Sequence, residues 1–98
     1  MNNNLKLIIK TILFILDMKK TDICKDCSFS YHALEVYLTR NSTMRMENIK
    51  QIFDVLNFDF GTAIIIASSK KSRIEIIKSV LSELQKECEW CITKIWKN

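Results

Sequence analysis

The chain has no proline, one glycine and one histidine among its 98 residues, and each scarcity excludes something. With so few residues to punctuate strands and tight turns, and little period-two alternation, the sequence predicts helices joined by short polar turns. The lack of a glycine-rich stretch excludes a phosphate-cradling loop. The one histidine, His32, has no partner arrangement for nucleophilic catalysis. Paired-carboxylate and metal-binding histidine spacings are also missing, so neither an enzyme nor a cofactor is expected. No apolar run reaches the length needed to span a bilayer. The opening MNNNLKLIIKTILFIL is apolar, but Lys10 interrupts it and no small-x-small cleavage site follows before Asp17, Lys19 and Lys20. A cytoplasmic protein with reduced thiols and no membrane association is expected.

What is present is a hydrophobic fraction of 48% and a charged fraction of 27%, which fits one small folded unit with a modest core. The formal net charge is +4, enough to permit polyanion binding without demanding it. Its distribution is uneven. Residues 1–61 carry eight basic and seven acidic groups, whereas residues 62–98 carry seven and four. A nearly neutral first half argues against strong non-specific DNA affinity, which comes from phosphate neutralisation.

Periodicity predicts an all-α chain of five to six helices. The first, over 5–18, has Leu5, Ile8, Ile9, Ile12, Leu13 and Leu16 so densely placed that it must enter the core. Helices over 20–27 and 31–39 follow, then a polar loop over 40–43. A helix over 46–57 carries Met46, Ile49, Ile52, Phe53 and Leu56 at three- and four-residue spacing. The NFDFGT stretch around Gly61 is expected to end that unit. TAIIIAS has strand propensity but no partner strand, and reads as a short buried helix. The last helix, over 73–96, is the longest. Ile74, Ile77, Leu81, Leu84, Cys88, Cys91 and Ile95 alternate by three and four along it, an a/d seam that reads either as core packing or as a dimerisation face. Ile76, Val80 and Trp90 widen the face, so both readings can hold, and a homodimer is expected.

Read from Lys20, the segment KTDICKDCSFSYHALEVYLTRN falls in the register of a helix-turn-helix. Ile23, Cys27, Phe29, Leu34 and Tyr37 occupy its apolar positions, Cys24 its small position and Ser28 its turn, while Ser30 is a good N-cap. With SYHALEVYL and MRMENIKQIFDVLNF, residues 5–58 resemble the phage-repressor (Cro, lambda-repressor-like, Xre) helix-turn-helix domain. The resemblance implies a lambda-repressor-like domain over 1–61, with 62–98 a helical extension within one compact unit. It also implies a small transcriptional regulator of phage or mobile-element origin that reads duplex DNA as a dimer, on half-sites about one helical turn apart. Matching the family's positions places Tyr31, His32 and Val36 at base edges. Lys19, Lys20, Thr21, Ser30, Arg40 and Arg45 fall at phosphates or groove edges.

Two residues and one absence depart from the family pattern or its expected chemistry. Ser28 stands where glycine is usual, so the turn must either tolerate a left-handed residue or bend differently. Glu35 lies on the recognition helix, where a carboxylate repels phosphate unless it accepts from a cytosine amine. No Arg, Lys, Gln or Asn lies within 31–39. The competing expectation is therefore the same fold turned to a host or phage protein, for example as an anti-CRISPR inhibitor.

Two Cys-x-x-Cys pairs, Cys24/Cys27 and Cys88/Cys91, invite a four-thiolate zinc site. Both pairs fall inside predicted helices, sixty residues apart, and each cysteine already fills an apolar or small slot. Core cysteines are expected instead.

Overall fold

The computed structural model describes residues 2–96, with side-chain surroundings from 2 to 86. Six helices and no strands are found among the described residues: α1 Asn2–Ile15, α2 Lys20–Cys24, α3 Tyr31–Thr39, α4 Met46–Val55, α5 Phe60–Ser68 and α6 Arg73–Trp96. The all-α architecture expected from the sequence is therefore present.

α1 is the central element and packs against α3, α5 and α6. Its Leu5, Ile8, Ile9 and Ile12 are wholly buried, each removal from water being worth about 1.5–3 kcal/mol. The expected helix over 5–18 starts and ends three residues early. Asp17 adopts a left-handed conformation (φ 53°), and the Met18 N–H donates to the Leu13 carbonyl at 2.9 Å, closing the helix in a Schellman turn. Leu16, expected in the core, lies beyond that stop and is exposed.

α4 ends by the same device. Asn57 is left-handed (φ 56°), and the Phe58 N–H donates to the Phe53 carbonyl at 3.0 Å. The residue that ends this unit is thus Asn57, whereas Gly61 already belongs to the first turn of α5. Phe53 anchors the corner, with ring centroids 5.9 Å from Phe58 and 5.6 Å from Phe60. Met46, at the first position of α4, is exposed rather than part of its buried stripe.

The isoleucine run is helical because Asp59 caps it: its carboxylate accepts the Thr62 N–H at 2.9 Å and the Thr62 hydroxyl at 2.9 Å. Those two bonds hold the Asp59 carboxyl below its ordinary pKa. The helix is buried along Ala63, Ile66 and Ala67 only, and Ile65 is 73% exposed.

α6 begins where periodicity places it. Ile76, Val80 and Leu84 face the core, so Leu84 joins that stripe rather than the expected seam. Ile74 and Leu81 are exposed and Ile77 half-buried. Cys88, Cys91 and Ile95 lie outside the residues whose side chains are described. No single described helix is long and apolar enough to cross a membrane.

Candidate nucleic-acid interface

The interface reading rests on α2, the loop after it and α3. Ile23 and Leu34 are wholly buried and Tyr37 nearly so, while Cys24, Cys27 and Phe29 pack half-buried at the edge of the same core. α2 is shorter than the expected 20–27. Beyond Cys24 the backbone tightens, the Asp26 N–H donating to the Ile23 carbonyl at 3.2 Å and the Cys27 N–H to the Cys24 carbonyl at 3.4 Å.

Ser28 does not turn left-handed, since Asp17 and Asn57 are the only such non-glycine residues described. The loop bends differently and is tied to α4 instead. The Ser28 N–H donates to Gln51 Oε1 at 2.9 Å, and Gln51 Nε2 donates to Ser28 Oγ at 3.1 Å. Ser30 then caps α3 as its sequence position implies, its hydroxyl oxygen accepting the Ala33 N–H at 3.2 Å.

α3 leaves Tyr31 and His32 exposed at its N-terminal end and Val36 half-buried. Tyr31 lines a depression of about 810 Å³ together with Lys19, Lys20 and Thr21. Those four expected contact residues are thus brought together, over an apolar floor that includes Leu13 and Phe14. Arg40 lies instead in a separate pocket with Lys6, Lys10 and Arg73. Arg45 stands before α4, 3.7 Å from Glu47 in a pair so exposed that it contributes little. The Lys19 backbone N–H donates to the Asp22 carboxylate at 2.9 Å, an N-terminal cap for α2.

Lys20 is not a free phosphate donor. Its ammonium lies 2.7 Å from the Glu35 carboxylate. That hydrogen bond holds the Glu35 carboxyl below its ordinary pKa, with Tyr31 and His32 acting in the same direction. The pair neutralises the carboxylate that would repel DNA, and it also occupies the cation that would attract it.

Sequence reasoning missed Lys6. It is 7% exposed, and its ammonium donates to the carbonyls of Arg40 at 3.0 Å and Ser42 at 2.7 Å, lying 4.9 Å from the Tyr37 ring centre. Asn2, one turn earlier, accepts the Tyr37 hydroxyl at 3.1 Å and donates to the Ser42 carbonyl at 3.3 Å. Together they satisfy the backbone where α3 ends. Only tertiary packing creates this arrangement, and the spacing of Asn2 and Lys6 is its one trace in the sequence.

Cys24 and Cys27 are free thiols, both with pKa raised, chiefly by burial, which disfavours the thiolate a metal needs. No cluster of three potential ligands exists among the described residues. The four-cysteine alternative requires Cys88 and Cys91, which lie outside the described side chains.

Comparisons with protein-family models, curated proteins and solved structures return no match to this chain.

Proposed function

We propose that the chain is a small helix-turn-helix DNA-binding regulator that lays α3 in the major groove and acts as a homodimer. The supporting observation is the capped, exposed N-terminal end of α3. It presents Tyr31 and His32 outward, beside the Lys19, Lys20 and Thr21 end of α2. Tyr31 and His32 supply hydrogen-bonding groups for base edges, and Val36 an apolar contact for a thymine methyl. Lys19, Thr21, Ser30, Arg40 and Arg45 supply phosphate contacts, and Lys20 joins them once DNA competes for it with Glu35.

Ile77 and Leu81 on α6 form a groove of about 450 Å³ with Leu7, Phe14 and Ile15 of α1. In this reading it is the subunit contact, setting two α3 helices about one helical turn of DNA apart. The test is a duplex-binding assay on random DNA and on the chain's own upstream region, at two salt concentrations. A regulator binds one of them with an affinity that falls steeply with salt. Absence of binding in both samples overturns the reading.

A second reading is a protein-directed inhibitor, for example of anti-CRISPR type. The depression beside Tyr31 favours it: the carboxylates of Asp17 and Glu35 line it together with the lysines, a mixed charge that suits a protein surface better than a phosphate backbone.

A further inference from the structure

The geometry points to a second site: a phosphate-binding surface pocket lined by α1, the end of α3 and the start of α6. Its volume is about 300 Å³, within the range of small-ligand pockets. Four cations line it, Lys6, Lys10, Arg40 and Arg73, with the amides of Asn3 and Asn41 beside them and no carboxylate. This concentration of charge is uncompensated. The four ion pairs among the described residues involve Lys20, Lys25, Arg45 and Lys86, and none of the pocket's cations.

Lys6 strengthens the case. It is a buried ammonium held by two neutral carbonyls and an aromatic ring, with no carboxylate partner. A buried charge held only by dipoles is costly, and an anion in the adjoining pocket offsets that cost.

The lining defines the ligand class. Two guanidinium groups match the bidentate geometry of phosphate oxygens, and four positive charges suit more than a single negative one. Leu7 and Leu38 are the apolar contributions, too little for a large hydrophobic ligand. A phosphate or diphosphate group is therefore the part recognised. The source is either a small anion or a nucleic-acid backbone. The base-reading end of α3 is distinct from this site, because Tyr31 and Arg40 lie at opposite ends of the helix, about 13 Å apart along its axis, although Arg40 is also one of the proposed phosphate contacts. The inference stands whether or not α3 reads DNA.

The test uses inorganic pyrophosphate and a random-sequence duplex, each titrated calorimetrically in chloride buffer. The variant is Asn41→Asp combined with Arg73→Gln, two exposed pocket positions outside the proposed DNA contacts and away from the depression beside Tyr31, with sedimentation showing its oligomeric state unchanged; Lys50→Gln on α4 is the control. The expected result is saturable pyrophosphate binding that weakens about tenfold or more in the double variant and is unchanged in the control. Absence of pyrophosphate binding, with duplex binding weakened to that extent by the same variant, also supports the pocket and assigns its phosphate to nucleic acid. If the double variant changes neither titration, while its far-UV circular dichroism stays native, the pocket is overturned. Tyr31→Ala distinguishes the two proposals, since it weakens duplex binding only where α3 reads DNA and leaves pyrophosphate binding intact.

Discussion

Lys20 Nζ and Glu35 Oε2 lie 2.7 Å apart, joining the first residue of α2 to the middle of α3. The bond spans the two helices proposed to read DNA, so each partner sets the charge that the other presents. Glu35→Gln removes the carboxylate and frees the ammonium. The expected outcome is tighter duplex binding and a salt slope steeper by about one, measured by anisotropy titration across salt concentrations. Lys20→Gln should do the opposite. An unchanged slope in both variants would show that this surface does not face phosphate.

The pair also carries a pH signature. Glu35 has a pKa below its unfolded value, so its contribution is present above the unfolded carboxylate range and is lost as pH falls through the folded value. Wild type should therefore lose thermal stability on acidification by more than Glu35→Gln. Parallel Tm profiles for the two proteins would contradict this.

Tyr37 acts at the other end of the scale. Burial pushes its phenol up to about 12, so the folded chain resists ionisation. Its contribution is complete below about pH 10, the unfolded value, and is lost as pH rises towards 12. Half of the tyrosinate absorbance should appear only near the upper value. Tyr37→Phe should remove that step and, in exchange, lose the bond to Asn2.

Lys6→Met should destabilise the fold by about 1–3 kcal/mol, because the carbonyls of Arg40 and Ser42 lose a donor that methionine cannot replace. Lys10→Met, at an exposed position one turn along, should leave the denaturation midpoint nearly unchanged. Equal effects of the two substitutions would refute a special role for Lys6.

The proposed subunit contact predicts that Leu81→Arg converts the dimer to a monomer without loss of helix content, as read by sedimentation and circular dichroism. Leu84→Arg should instead unfold the chain, because Leu84 faces the core. A monomeric wild type would refute the contact.

The helices were legible because Leu5, Ile8, Ile9 and Ile12 repeat at helical spacing and because Ser30 is a recognisable cap. Their ends were less so. Asp17 and Asn57 stop α1 and α4 in a conformation usually assigned to glycine, and neither residue announces this in a chain where glycine is scarce. Leu84 was misplaced because an a/d pattern cannot by itself tell which edge of a broad apolar face meets the core. Lys6 was invisible because its partners are carbonyls 34 and 36 residues away in sequence. At the candidate interface, Tyr31, His32 and Val36 were locatable from register alone. The Lys20–Glu35 pairing required the packing of α2 on α3.

The central placement of α1 has a consequence for how the chain is made. α1 buries Ile8, Ile9 and Ile12 in a core completed by α5 and α6, which are synthesised after it. Until then its apolar face lacks native cover, and shortening the chain to residues 1–61 would leave it so permanently. Folding is therefore expected to finish only after α6 emerges, and nascent chains halted before it should be sensitive to proteolysis.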